Sequence, residues 1–536
     1  MSGTEPTVDA VIVGAGFAGL YQLYRFRELG LTVRVFEAAA DVGGTWYWNR
    51  YPGARCDVES MSYSYSFSPE LEQEWTWTEK YPTQPEILRY LNHVADRFDL
   101  REHITFSTGV TGASWDDAAR RWTVATDTGE SVTARFLVMA TGALSVPKDP
   151  EVPGIDRYRG RLYRTANWPH EPVDFTGLRV GVVGTGSSGI QVIPIVAKEA
   201  ASTTVFQRTP NFSLPAHNRP LTEEEIAERK ATYRQWREAQ RRSGFGVPVP
   251  EPDKSAFDLT EEERNAVYQA AWDEGALMPV LTAFTDSITD PAANETAAEF
   301  VRGKIREIVR DPEVAETLCP KGYPIGIKRP CLDTDYYATF NRDDVELVDL
   351  RTTPLEEFTE RGIRTTAREY ALDAVILATG FDAITGALTS IDIRGRDGLR
   401  LTDKWARGPR SYLGLSVAGF PNLFTIAGPL SPSVLSNMVV SIEQHVDFVA
   451  DAITYLRDRG RAAIEANPEA EDAWVAHADE AAHMTLYPTA DTYYNGQNVP
   501  GKPRVFLAYA GGVGAYREYC ERVAANGFEG FELLPA

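Results

Sequence analysis

The sequence predicts an α/β protein whose two nucleotide units are both discontinuous and flank a helical insertion. Three observations lead there. A glycine turn, Gly14-x-Gly16-x-x-Gly19, follows an apolar strand and precedes an amphipathic run. A second turn, Gly184-x-Gly186-Ser187-Ser188-Gly189, sits in the same context. Two apolar strands far apart in the chain both end in the same tripeptide, Ala140-Thr141-Gly142 and Ala378-Thr379-Gly380. A glycine turn between strand and helix marks a Rossmann-like dinucleotide-binding domain. The repeated exit suggests that each of two such domains is interrupted by the other. The boundaries read as 1–150, 151–216, 217–327, 328–382 and 383–536.

Composition narrows the class. At 536 residues the chain exceeds one ordinary core. With 43% apolar and 24% charged residues it reads as soluble and globular. A net charge of −22 repels nucleic acid and anionic membrane, so neither is expected as a partner. The four cysteines, Cys56, Cys319, Cys331 and Cys520, form no C-x-x-C pair. That argues against a redox dithiol or a zinc ribbon and suits a reducing, cytoplasmic setting. No metal site is expected. The opening MSGTEPTVDA lacks a basic region, and no apolar run is long enough to span a bilayer, so neither a signal peptide nor an anchor is expected.

The first unit runs from residue 9 to 37. Residues 10–13 form a strand, a helix follows the turn to about residue 29, and residues 31–36 form the second strand. Gly14 permits the tight turn, Gly16 lets a pyrophosphate approach the backbone, and Gly19 allows close helix–strand packing. Phe17 opens the helix. Glu37 ends the second strand, where a carboxylate accepts from the ribose hydroxyls of an adenosine without a 2′-phosphate. Residues 41–60 are rich in glycine and aromatics. Residues 85–98 read as a helix, 104–107 as a short strand, 121–125 and 132–134 as a hairpin, and 136–139 as a buried strand.

Residues 158–169 fit neither strand nor helix and read as a hinge. The second unit follows: strand 178–183, the turn, a helix carrying Ile190, Val192, Ile193 and Ile195, and strand 203–206. Arg208 stands where the first unit has Glu37. A guanidinium binds a 2′-phosphate through two N–H bonds, which points to NADP at this site. Residues 217–327 are charged and helical, with capping boxes at Thr222/Glu225 and Thr260/Glu263. Residues 321–335 read as a loop, 369–377 as one strand, 424–427 as a strand, 436–456 as a helix, and 515–526 as a short terminal helix.

Two such units in one chain resemble the two-dinucleotide-binding flavoproteins. Within these the sequence resembles the type I Baeyer–Villiger monooxygenases, close to those acting on phenylacetone, steroids and cyclohexanone. Three motifs carry the likeness. Gly43-Gly44-x-Trp46 with Tyr51-Pro52-Gly53 and Asp57 matches the family's second fingerprint. Residues 184–189 match its NADP loop. The signature F-x-G-x-x-x-H-x-x-x-W-P aligns with Tyr158, Gly160, Arg164, Trp168 and Pro169, with tyrosine for phenylalanine and arginine for histidine.

The resemblance implies FAD on the first unit and NADPH on the second, and oxidation of a ketone by O2 to an ester or lactone through a C4a-peroxyflavin. It makes Arg329 the active-site arginine and Asp57 the carboxylate that orients it. It adds Thr45, Trp46, Tyr63 and Met438 beside Gly44 at the flavin, and Thr185, Thr209 and Lys328 beside Arg208 at NADP. It borders the substrate pocket with Leu144, Ser433, Val434, Leu435, Tyr493 and Leu507. Tyr493 stands where close relatives have tryptophan. In the family the signature segment links the domains. No protein redox partner is expected. The alternatives are S- or N-oxygenation by the same cofactor or uncoupled NADPH oxidation, a disulfide or ferredoxin reductase, and a nucleotide-binding redox sensor.

Overall fold

The computed structural model describes residues 7–535. Residues 1–6, which carried most of the reading of the amino terminus, lie outside the described residues, as does residue 536.

Two sheets organise the chain. The larger has eight strands. In order these are Asp392–Arg394, Val110–Asp116, Arg121–Thr126, Ser131–Met139, Thr7–Val13, Val33–Phe36 and Ile104–Thr105, with Leu423–Thr425 also paired to Ser131–Met139. Its nucleotide half is parallel, with Ala10 opposite both Val33 and Phe136. The Val110–Asp116, Arg121–Thr126 and Ser131–Met139 strands form an antiparallel meander. The strand Thr7–Val13 shows why it lies at the centre. Ala10 and Ile12 enter one core, with the helices Phe17–Glu28 and Met438–Asp458, while Val11 and Val13 enter a second core with Trp115 and Trp122. Apolar residues at four successive positions, 10–13, pointing alternately to the two sides, are the pattern of a strand covered on both faces.

The second sheet is five-stranded and parallel throughout: Val345–Asp349, Ser202–Gln207, Arg179–Val183, Ala374–Leu377, Arg161–Arg164. Ala374 and Ile376 face one core and Val375 and Leu377 the other. Between its strands Ser202–Gln207 and Val345–Asp349 lie the helices Glu223–Arg242, Glu261–Glu274, Pro291–Ile308 and Pro312–Leu318. Both expected capping boxes form, on Thr222 and Thr260.

Four expectations need correction. Residues 158–169 are not without regular structure: Arg161–Arg164 is an edge strand parallel to Ala374–Leu377. Its RLYR sequence lacks the apolar run of a central strand, because one edge is unpaired and its face is half exposed. Residues 369–377 are two strands. Glu369–Ala371 belongs to a three-stranded antiparallel ribbon with Gly362–Thr365 and Leu355–Phe358, and only Ala374–Leu377 joins the sheet. Asp373 marks the break, accepting from the Arg179 backbone N–H at 2.9 Å. Residues 132–134 and 136–139 are one strand, Ser131–Met139. The 321–335 loop contains the strand Cys331–Asp333, paired with Ser213–Pro215.

Candidate active site

The two glycine turns are built alike. Gly14 has φ 103° and Gly184 φ 109°, a region that L side chains rarely adopt. A Cβ on Gly14 would meet the Ala140 carbonyl oxygen, and one on Gly184 that of Ala378. The two small-residue exits are therefore the surfaces on which the turns rest. A Cβ on Gly19 or Gly189 would collide with the carbonyl of Gly14 or Gly184. The middle glycines differ. Gly186 has nothing within 4 Å of a Cβ, and the nearest atom at Gly16 is the Gly44 Cα at 3.4 Å. The space over Gly186 is open, and that over Gly16 is bordered only by the Gly43–Gly44 backbone. The helices Phe17–Glu28 and Ser187–Glu199 begin there without a side-chain cap, so their first N–H groups face it. Both cradles fit a pyrophosphate.

Beyond the turns the two units diverge. Glu37 is buried; its carboxylate accepts from the Ala15 N–H at 2.6 Å and the Ala39 N–H at 2.8 Å. Burial raises its pKa, and the backbone N–H groups of Ala39, Ala15 and Ala38 oppose the rise. With three of about four acceptor sites taken, the carboxylate keeps capacity for one further donor. Arg208 is exposed and has no ion-pair partner among the described residues. Next to it, the Thr209 carbonyl accepts from Thr185 Oγ1 at 3.0 Å. Lys328 lies with its Nζ 4.6 Å from the centre of the Tyr323 ring. Burial and the neighbouring Arg208 lower its pKa.

The second fingerprint bridges the two units. Gly43 (φ 134°) and Gly44 (φ 53°) bring the chain against Gly16 and into the short helix Thr45–Trp48. Trp46 Nε1 donates to Tyr63 Oη at 3.2 Å, and Tyr63 packs edge-on against Phe17. Further along, Tyr51 Oη donates to Gln191 Oε1 at 2.8 Å, and Gln191 Nε2 donates to the Arg55 carbonyl at 3.1 Å. A Cβ on Gly53 would strike the Gln191 carbonyl. That glycine is thus set by contact with the second unit's helix.

Asp57 follows, and it meets Arg329. The guanidinium donates from Nε and Nη2 to the two carboxylate oxygens at 2.7 and 2.8 Å, and from Nη1 to the Val434 carbonyl at 2.8 Å. About a quarter of the Arg329 side chain stays accessible. Burial works against its charge, but the Asp57 carboxylate outweighs this and holds its pKa above the usual guanidinium value. Two residues on, Cys331 Sγ donates to Ser187 Oγ at 3.1 Å, tying this segment to the second turn, while Ser188 continues the helix start.

Leu144, Val434, Leu435, Met438, Tyr493 and Leu507 fall in one apolar cluster. Ser433 does not offer its hydroxyl to that cluster: it donates to the Ala427 carbonyl at 3.2 Å. Ala427, Leu430 and Ser433 all have positive φ, at 54°, 68° and 40°. Strain of this kind persists only where neighbours over-determine the backbone. Here the Ala427 N–H donates to His445 Nδ1 at 2.9 Å, and burial, with Arg517 nearby, lowers the His445 pKa to about 3. Tyr487, Tyr494 and Phe506 join the same cluster, with Tyr494 ring-to-ring with Tyr493 at 4.3 Å. Sequence reasoning passed over these three; the doubled tyrosine in an aromatic-rich tail was the available signal.

In the signature segment, Tyr158 Oη donates to the Leu372 carbonyl at 3.0 Å, and a Cβ on Gly160 would strike the Tyr158 ring. Arg164 forms a two-pronged pair with Asp149 at 2.7 and 2.6 Å. Trp168 stacks on Tyr163, its backbone N–H donates to the Trp48 carbonyl at 3.4 Å, and the half-buried Pro169 follows it. Among the described residues no group of His, Cys, Asp and Glu could hold a metal ion, and no helix is long and apolar enough to cross a membrane.

Residues 11–241 match the pyridine nucleotide-disulphide oxidoreductase family model. A Baeyer-Villiger monooxygenase of Pseudooceanicola batsensis is 44% identical over 523 residues, covering 97% of this chain and 95% of that protein. Oxidized steroid monooxygenase bound to NADP is 56% identical, with a TM-score of 0.95 over 99% of this chain and 100% of that one. The OTEMO complex with FAD and NADP is 42% identical, also with a TM-score of 0.95 over 99% of this chain and 100% of that one.

Proposed function

The chain belongs to the Baeyer–Villiger monooxygenases, and from that premise we propose an NADPH- and O2-dependent flavoenzyme that converts a small-molecule ketone to an ester or lactone. FAD lies on the turn 14–19, with Glu37 on its ribose and Gly44, Thr45, Trp46, Tyr63 and Met438 around it. NADPH lies on the turn 184–189, with Arg208, Thr209 and Lys328 at its 2′-phosphate. The two sheets then form two Rossmann-like domains. Residues 1–150 and 383–536 make the FAD-binding domain, residues 151–216 and 328–382 the NADP-binding domain, and residues 217–327 the helical insertion. This assignment is supported by sheet membership: the first sheet draws its strands from both outer segments and the second from both inner ones.

The observation that carries the reaction is Arg329 held by Asp57 beside Val434. The chemistry supplied by bound flavin is acceptance of hydride from NADPH and activation of O2, one oxygen atom going to the product and the other to water. Arg329 serves that chemistry as a fixed charge. Asp57 and Val434 take three of its five N–H donors and Tyr494 is also hydrogen-bonded to it, which leaves at least one for an oxygen that gains negative charge during ketone oxidation. Its raised pKa makes it a stabiliser of anions, not a proton donor. Asp57 fixes the plane of the guanidinium and offsets the cost of burying it. Leu144, Leu435, Tyr493 and Leu507 keep water from the same space, which strengthens each of these interactions. No protein redox partner is needed, since NADPH and flavin share the site.

The test is a panel of linear, cyclic and aryl ketones with a thioether, measuring NADPH oxidation, O2 uptake, peroxide and product together. The expected result is one ester or lactone per NADPH with little peroxide. Sulfoxide without any ester would overturn the reading.

A further inference from the structure

We infer that Lys148 is a further cationic ligand of the NADP 2′-phosphate, supplied by the segment that joins the two sheets. The inference rests on the reading of the second turn as an NADPH site, but on residues that reading does not use.

Lys148 is half-buried in the connection between the strands Ser131–Met139 and Arg161–Arg164. Its backbone straps it to the exit of the second unit. The Lys148 N–H donates to the Gly380 carbonyl at 3.0 Å, its carbonyl accepts from Thr379 Oγ1, and Pro147 bridges to Phe381. Two residues before Gly380, the Ala378 carbonyl abuts Gly184. On the far side of the same turn, Thr185 reaches Thr209, which is next to Arg208. Lys148, the turn and Arg208 thus share one rim at the carboxyl end of the second sheet.

No carboxylate forms an ion pair with Lys148, Arg208 or Lys328 among the described residues. Of the acids that act on these cations, Glu151 is exposed and forms no ion pair with Lys148, Asp382 pairs with Lys502, and Asp491 pairs with Arg504 at 2.6 Å. Burial and then the Arg208 charge lower the pKa of Lys148, as they do for Lys328. Three cations from three separate segments therefore crowd together in a protein whose net charge is −22. A phosphate of charge about −1.5 to −2 relieves that repulsion, and a ribose hydroxyl does not. Lys148 Nζ also donates to the Asn498 carbonyl, in the segment just after Tyr493 and Tyr494. The same ammonium therefore joins the phosphate to the aromatic wall of the pocket.

The experiment measures binding of NADP⁺, NAD⁺ and adenosine 2′-monophosphate to the FAD-loaded protein at two salt concentrations, for wild type, Lys148→Gln and Arg208→Gln. Lys148→Gln should weaken NADP⁺ and adenosine 2′-monophosphate about tenfold, leave NAD⁺ within about twofold, and flatten the salt dependence for NADP⁺. If Lys148→Gln leaves NADP⁺ affinity unchanged while Arg208→Gln lowers it, Lys148 is not a ligand. If Arg208→Gln leaves the preference for NADP⁺ over NAD⁺ intact, the reading of the site itself falls.

Discussion

Asp57 and Arg329 stand 272 positions apart in the chain and meet side-on, both carboxylate oxygens matched to Nε and Nη2 of one guanidinium. The third bond, from Nη1 to Val434, fixes the remaining rotation. Removing Arg329 as alanine should leave reduction of the flavin by NADPH in place while ester formation falls by about 100-fold or more. Arg329→Lys should fare little better, because an ammonium has no planar fork to match Asp57. Asp57→Ala should add a loss of thermal stability, since it strands a largely buried cation. Product, peroxide and NADPH counted together check the two arginine variants, and a melting curve checks Asp57→Ala.

The second turn separates fold from ligand. Gly184→Ala places a Cβ against the Ala378 carbonyl at a φ of 109°, and should cost about 2 kcal/mol or more in stability. Gly186→Ala meets nothing, so its melting temperature should match wild type while NADP⁺ affinity drops because the backbone can no longer be approached. Melting curves and NADP⁺ titrations on the two variants distinguish these outcomes.

Arg164 pairs with Asp149 while both side chains remain more than a third exposed. Such a pair contributes about 0–1 kcal/mol. Arg164→Ala and Asp149→Asn should shift the melting temperature only slightly, and less at high salt. An effect of the pair on coupling between NADPH use and oxygenation would be read as peroxide released per NADPH, compared with Arg164→His.

Asp333 gives a dependence on pH. Burial raises its pKa to about 6, against the pull of Ser213 Oγ and the Tyr336 N–H. The folded protein therefore holds this proton more tightly than the unfolded chain does. The contribution to stability is full below about pH 4 and is lost as pH rises through 6. Asp333→Asn, which stays neutral, should gain ~2 kcal/mol relative to wild type between pH 4 and pH 8. Urea midpoints at the two pH values measure it.

The parts of the fold visible in the sequence are those set by local chemistry. The glycine turns, the strands that feed them and the caps on Thr222 and Thr260 depend on neighbours within a few residues. The strand Arg161–Arg164 escaped because its reason for existing is Ala374–Leu377, two hundred positions away and on one side only. The partnership of Asp57 with Arg329 came from a family resemblance, not from spacing, for the same reason. Tyr494, in the single 3-10 turn Tyr493–Asn495, and Phe506, in an irregular stretch, line the apolar cluster from segments too short to show a period. His445 looks like any residue of a helix until the strained Ala427 N–H is seen resting on its Nδ1.

The nesting of one sheet inside the other also sets an order of events on the ribosome. The inner sheet has all its strands once residue 377 has emerged, although it begins later than the outer one. The outer sheet must wait for Leu423–Thr425, and the helix Phe17–Glu28 must wait longer for its packing partner Met438–Asp458. At about 5–20 residues per second the first glycine turn stays without its full support on the order of tens of seconds. The portion made first is thus the last to be finished, and during that interval the nascent chain exposes the apolar face of Phe17–Glu28 to chaperones or to another copy of itself.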